Sequence, residues 1–298
     1  MSFTEPAAGN RESKSPIING TLIQRCSQIA MLPAAAVKII GLIDDPDSTP
    51  QNLIDVISHD PAVTVRLLKV VNSSYYGMSK QISTIKMAVM LLGINTVKNI
   101  SIAATLVKYL RGGRISPDFD AGDLWTHSIT VATGAMMLAQ HAPTVSPDEA
   151  FLAGLIHDIG ILVEIQAYRA DFVRVIHKLN EDEQLTFRMA EEETIGVSHE
   201  VIGCAWCKAM NFPRSLQLAT GYHHRPLDLE FEDRQLPSLV HIADVLAARI
   251  GLGYTRTVET KSVDPRLFDS LLLTEAHCKA MAIALPDAVR EVQSRFGG

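Results

Sequence analysis

Cysteine is scarce: 4 residues in a chain of 298, too few for a disulfide framework to hold a domain of this size. A dominant charge is missing too. The 27 basic and 33 acidic residues leave a formal charge of −6, whereas a broad nucleic-acid footprint shows as a basic excess. No nucleic-acid partner is therefore expected. Uninterrupted apolar runs look short. The longest, Met87 to Val97, gives way to Lys98 before the roughly 20 residues a membrane span requires. The first residues are polar, Thr4-Glu5-Pro6 and then Asn10-Arg11-Glu12-Ser13-Lys14, with no apolar signal core. No strand pattern and no glycine-rich phosphate loop stand out. Lacking a span, a signal core and disulfides, the chain reads most simply as cytoplasmic.

What remains is one apolar helix after another. Hydrophobic residues make up 47% and charged ones 20%, a globular composition. Residues 1–16 read as a loose, disordered polar tail. Pro33 opens a helix carrying Ala36, Val37, Ile40 and Ile43, which ends at Asp45-Pro46. Thr49-Pro50 and Asp60-Pro61 each set an N-cap before a proline at the first helical position. Ser83 and Asn95 start two more helices. Arg111-Gly112-Gly113-Arg114, followed by Ser116-Pro117, is the best boundary. It divides an N-terminal helical bundle, 17–113, from a second helical unit, 118–250, with 251–298 as a helical extension. Within the second unit, helices are expected from Asp120 to His141, after the capping box at Ser146-Pro147-Asp148-Glu149, twice between 168 and 194, and after Ser198, Phe212 and Pro237. The fold expected is all-α. Because apolar helices crowd both sides of the boundary, the two parts are expected to make one compact unit.

The chain is organised around Leu155-Ile156-His157-Asp158-Ile159-Gly160. An imidazole and a carboxylate in an apolar setting each need a partner, and an unpaired one costs on the order of a few kcal/mol. A divalent metal would satisfy both. Ala150, Ala153, Gly154 and His157 fall on one helical face, built of small residues that let another backbone approach. Taken alone, the doublet is better read as a helix C-terminus with a stabilising His and a solvated Asp.

Other histidines shift that balance. His127 shares the core stripe of Leu124 and Val131, with Asp123 one turn earlier. His199 lines up with Ile202, Trp206 and Met210, and His223, beside His224, continues Leu216, Ala219 and Thr220. Asp244 flanks the stripe Leu239, Ile242, Ala243, Leu246. A single inward His is usually a hydrogen-bonded core residue; four helices that each aim one inward need a common partner. Metal binding becomes the better account.

In order, His127, His157-Asp158 and Asp244 resemble the H…HD…D signature of the HD superfamily of metal-dependent phosphohydrolases. The N-terminal segments Leu32-Pro33, His59-Asp60-Pro61, Leu67 to Ser73 and Ile82 to Gly93 narrow the resemblance to HDOD domains, the HD-related output modules of bacterial signalling proteins. The match covers roughly residues 20 to 250. It implies a helical bundle packed on an HD-like helical core, and a regulatory protein rather than an enzyme. Asp123, His199, His223 and His224 are similar to further metal positions of the HD-GYP phosphodiesterases of cyclic-di-GMP. Two positions depart from that class. Ile161 stands where it has a lysine, and His223-His224 runs into Arg225-Pro226-Leu227 where its GYP motif would be. If the defect is local, Ile161→Lys is expected to raise activity, while Arg225 is the residue able to compensate by contacting substrate phosphate.

The resemblance thus implies one or two divalent ions, with iron, manganese, magnesium and zinc left open by the ligand set. His127, His157, Asp158 and Asp244 would hold one; Asp158 would bridge to a second on His199, His223 and His224, and would be the catalytic carboxylate if the site is active. Three functions compete: a signalling module acting through contacts with signalling proteins, a metal-dependent phosphohydrolase, and a nucleotide sensor that binds without cleaving. The remaining signals are read as structural. Cys204-Ala205-Trp206-Cys207 is two buried thiols, Tyr75-Tyr76-Gly77 a packed turn, and Glu191-Glu192-Glu193 a solvated face.

Overall fold

The computed structural model describes residues 32–42, 47–110 and 112–296. The polar tail, Ile43, the helix stop at Asp45-Pro46 and Arg111 lie outside the described residues.

The N-terminal part is built from short helices with strong start signals. Helix α1 (Ala34–Gly41) follows Pro33. Helix α2 (Pro50–Ser58) is capped by Thr49, whose side chain accepts from the Asn52 N–H. Helix α3 (Pro61–Val71) is capped by Asp60, which accepts from the N–H groups of Ala62 and Val63. After a single 3-10 turn at Ser74–Tyr76, Thr84 rather than Ser83 caps α4 (Ile85–Leu92), and α5 (Ile94–Leu110) follows. Each cap satisfies backbone donors that the first helical turn leaves open.

At the expected boundary the chain forms a small ribbon that the sequence reading did not anticipate. Strand β1 (Arg114–Ser116) pairs antiparallel with β2 (Phe119–Asp120), Arg114 opposite Asp120 and Ser116 opposite Phe119. Strands this short show no alternation for a sequence pattern to reveal. The second part then runs through α6 (Ala121–Ala139), α7 (Pro147–Ile156), α8 (Ile159–Ala167), α9 (Arg169–Glu181), α10 (Phe187–Thr194), α11 (His199–Ala209), α12 (Arg214–Tyr222) and α13 (Gln235–Ile250). Helices α14 (Pro265–Leu271) and α15 (Glu275–Phe296) complete it. The fold is all-α apart from the ribbon.

One hydrophobic core runs through both parts. It joins Ile39 and Leu53 from the N-terminal helices to Val131, Leu155, Ile202, Leu239 and Leu285. Helix α5 packs on α7, and α15 lies along both α6 and α3. A smaller cluster gathers Phe119, Leu124, Ile161, Phe172 and Phe187, with Tyr254 against it. Membrane-length apolar composition lies elsewhere than Met87 to Val97. Helices α7 and α8, nearly continuous across the doublet, give Pro147–Ala167 the length and mean hydropathy (1.5) of a membrane span, but 83% of that window is buried inside the protein. A core helix satisfies the same composition test because it is apolar on every side.

Candidate metal centre

Two glycines bring the histidines together. Helices α6 and α7 touch backbone to backbone at Gly154, where a Cβ would lie 2.7 Å from the Ala132 Cα. The contact sets His127 of α6 beside His157 at the end of α7, their ring centroids 5.2 Å apart. This is the close approach that the small-residue face implied. At Gly160 a Cβ would collide with the main-chain carbonyl of His199. Only glycine lets the N-terminus of α11 rest on the first turn of α8, and that contact delivers His199 to Asp158. The C-terminal end of α12 contributes His223 and His224, and the middle of α13 contributes Asp244. His241 donates from Nδ1 to the His223 carbonyl at 2.7 Å and ties these two helices at the site.

Asp158 is the hub. Its Oδ2 lies 3.2 Å from His157 Nε2 and 3.7 Å from His127 Nε2, while Oδ1 lies 3.4 Å from His199 Nε2 and 3.5 Å from His223 Nε2. His127 Nε2 is also 3.0 Å from Asp244 Oδ1. His224 closes the other side, Nε2 3.2 Å from His199 Nε2 and Nδ1 3.8 Å from Asp244 Oδ2. The ligand atoms therefore fall into two groups with the spacing of a cation site, His127-His157-Asp158 and Asp158-His199-His223-His224. One carboxylate oxygen faces each group.

The outer nitrogens are already committed. His157 Nδ1 donates to the Gly154 carbonyl at 2.7 Å, and His223 Nδ1 to the Thr220 carbonyl at 3.1 Å. His199 Nδ1 donates to the Glu191 carboxylate at 2.9 Å, which also accepts from the His199 backbone N–H. A proton held on Nδ1 leaves Nε2 with its lone pair pointing inward, the tautomer a metal ligand requires.

The inner atoms face one another as ion pairs without hydrogen-bond geometry. Asp158 is 2% exposed and His127, His157, His199, His223 and Asp244 are 0% exposed. Even so, His127, both Asp158 oxygens, both Asp244 oxygens, and Nε2 of His157 and His223 make no hydrogen bond. So many orphaned polar atoms at one point would be costly unless a cation sat among them. The electrostatics agree. Against burial, the neighbouring imidazoles hold Asp158 well below the usual carboxylate range, and His127 holds Asp244 down. Burial opposes a charge on His157 and His199, but Asp158 raises His157 and Glu191 lifts His199 to about 10, so without a cation these rings carry the positive charge themselves and would give up the Nε2 proton to a metal. Burial, then the charges of His223 and His199, push His224 well below its ordinary value. Both carboxylates thus stay ionised and call for positive charge beside them. The residues fit one or two divalent ions.

Several expectations need correction. Asp123 is exposed and lies outside both groups; what bears on its turn of α6 is main chain, the Tyr254 N–H donating to the Asp123 carbonyl at 3.0 Å. Glu191 belongs to no solvated face. It is fully buried, whereas Glu192 and Glu193 are exposed. Burial and the adjacent Glu191 charge push the equally buried Glu164 well above the carboxylate range. Sequence reasoning missed both glutamates, although a signal existed. Phe187, Ala190 and Glu191 share one helical face, as do Ile161, Glu164 and Ile165. Ile161 faces no substrate position: it is fully buried in the cluster of Phe119 and Phe172. A lysine there would enter an apolar cluster. Arg225 lies over the Tyr222 ring, with Nε 3.5 Å from the buried carboxylate of Glu200. Cys204 and Cys207 are buried thiols, as read from the sequence.

The comparisons with known proteins agree with this architecture. Over 239 residues the chain is 24% identical to an uncharacterized protein of Treponema pallidum; the aligned region covers 78% of this chain and 45% of that one. The chain therefore spans less than half the length of this relative. It superposes on an HDOD domain protein of unknown function from Geobacter sulfurreducens with a TM-score of 0.71 and 25% identity, covering 93% of this chain and 96% of that one. A candidate phosphohydrolase from Shewanella amazonensis shares the fold, with a TM-score of 0.70, 22% identity and coverage of 93% and 98%. The HDOD domain model matches residues 29–226, most of the helical core and every histidine of the centre, and the chain belongs to the HDOD domain family.

Proposed function

We propose that this chain is a signalling module of the HDOD type whose His/Asp centre binds divalent metal and holds the helical core in one arrangement for contact with signalling proteins. One observation carries the reading. Three imidazoles have their Nδ1 locked to protein acceptors and turn Nε2 toward a buried Asp158 whose two oxygens have no hydrogen-bond partner. In this reading His127, His157, Asp158 and Asp244 hold one ion and His199, His223 and His224, with Asp158 as bridge, hold a second. Asp158→Ala is expected to remove most of the metal from protein purified anaerobically in metal-replete medium. Equal metal content in wild type and variant, by elemental analysis, would end the proposal.

A second reading, metal-dependent hydrolysis of a nucleotide or cyclic dinucleotide, has specific support in the bridging position of Asp158 between two ligand groups. Bound divalent ions would supply an activated water and stabilise charge on a phosphoryl group. Yet a substrate phosphate must also be held in line for attack. Ile161 is buried in core, and Arg225 is engaged with Glu200. Losing such a positioned donor costs about a hundredfold or more in rate. The regulatory reading therefore expects near-background turnover of cyclic-di-GMP by metal-loaded protein. Robust turnover that disappears in Asp158→Ala would replace it with the enzyme.

A further inference from the structure

Away from the His/Asp centre, helices α3, α5, α6, α7 and α15 meet around a cavity of about 230 Å³. Its walls are chiefly apolar. Val70, Ile100, Met136 and Phe151 are each buried but only 5–9% short of complete closure. Polar groups stand along one side. The Tyr76 hydroxyl donates to Asp148 at 2.6 Å, the Tyr75 ring meets the Tyr76 ring edge-on at 5.0 Å, and Gln140 is alongside. Across the mouth, Glu291 accepts from the Ser74 N–H at 3.1 Å and from its hydroxyl at 2.5 Å, and Arg295 lies 3.8 Å from the same carboxylate.

We infer that this cavity is a binding site for a small, neutral aromatic molecule. A recess this large, open at its mouth and lined mainly by apolar atoms, gives water few partners. Thioether and ring walls favour a flat aromatic occupant over a flexible chain. Two carboxylates, Asp148 and Glu291, against the single cation Arg295 disfavour an anion. Concave, apolar sites with a few polar groups on one wall are the usual form of small-molecule pockets. The location gives the site a consequence. Helix α7 runs from Asp148 and Phe151 in the cavity wall to His157, about 9 Å along its axis from Phe151, and α6 runs from Met136 back to His127. An occupant would bear on the two helices that carry the first ligand group, from a junction of the N-terminal part, the core and the C-terminal helix.

The site goes beyond the metal reading and its test needs no metal, so either can fail alone. The full chain is titrated against N-phenyl-1-naphthylamine, a neutral aromatic fluorophore. Fluorescence should rise to saturation with one site per chain. Ala288→Phe adds a ring to the cavity wall from a half-exposed position on α15, and Met137→Trp fills it from α6. Each folded variant should bind the probe at least tenfold more weakly, with an unchanged helical spectrum. Absence of saturable binding to wild type, or wild-type affinity in a folded filling variant, would overturn the inference. If one variant does not fold, the other decides.

Discussion

At the scale of the residue, Asp158 would do two tasks in the proposed site because its oxygens face different groups of side chains, Oδ2 toward His127 and His157 and Oδ1 toward His199 and His223. Its neighbours are specialised by what lies behind them: a carbonyl behind His157 and His223, a buried carboxylate behind His199. Partners of this kind fix ring orientation and raise ligand basicity. Ile161 sits close to this site in sequence and belongs to a different environment. Ile161→Lys places an ammonium among Phe119, Leu124 and Phe172, with the buried Glu164 one turn further along the same helical face. An uncompensated buried charge costs on the order of 3–5 kcal/mol. The variant should therefore show a clearly lowered urea midpoint and no gain in phosphodiesterase turnover. A wild-type midpoint would mean that the side chain escapes to solvent or pairs with Glu164, and that the apolar cluster is loosely packed. The inward histidines were legible in the sequence because helical spacing puts each on an apolar stripe. Glu191 was not, because a run of three glutamates reads as solvated until its first member is seen to share a face with Phe187 and Ala190.

At the scale of the element, the site depends on two backbone contacts that side-chain chemistry alone does not reveal. The α6–α7 contact at Gly154 could be anticipated, since Ala150, Ala153 and Gly154 make a face of small residues. The α8–α11 contact at Gly160 could not, because the sequence shows a glycine after the doublet but not what lies against it. Gly160→Ala forces a methyl group into the His199 carbonyl. Backbone on both sides has no rotamer to relieve the clash, and overpacking of this kind costs roughly 1–3 kcal/mol or more. Moving α11 away also withdraws His199 from Asp158. The variant should be destabilised in thermal melts and bind metal at least tenfold more weakly, whereas Gly41→Ala, with no atom within 4 Å of the added Cβ, should change neither. Comparable metal affinity in the two variants would remove the α8–α11 contact from the account. The ribbon of β1 and β2 shows where elements stay illegible: two or three residues are below the length at which periodicity carries information.

At the scale of the whole molecule, the glycine-rich boundary and the continuous core give opposite impressions of how the parts relate. Gly112, Gly113 and Arg114 are exposed, which is what a linker looks like. Apolar packing nevertheless crosses that point through α5 on α7 and through α15, which returns from the far end of the chain to lie on α3. Polar ties follow the same route, Tyr76 to Asp148 and Ser74 to Glu291. Separating the parts would expose Val70 and Ile100 on one side and Met136 and Phe151 on the other, which meet around the cavity and are each at most 9% exposed as packed. At about 25 cal/mol per Å² of apolar surface, that exposure is unfavourable enough to keep a cut chain together. We therefore propose that the bundle and the HD-like core behave as one unit with the C-terminal helix as its brace. Brief trypsin treatment that cleaves after Arg114 should yield two fragments that co-elute at the size of the intact chain and separate only in denaturant. Deleting residues beyond Thr274 should weaken that association, because it removes the helix that spans both parts. Two stable fragments eluting apart without denaturant would show independent domains, and would also separate Val70 and Tyr75 from Phe151 and so dissolve the cavity they share.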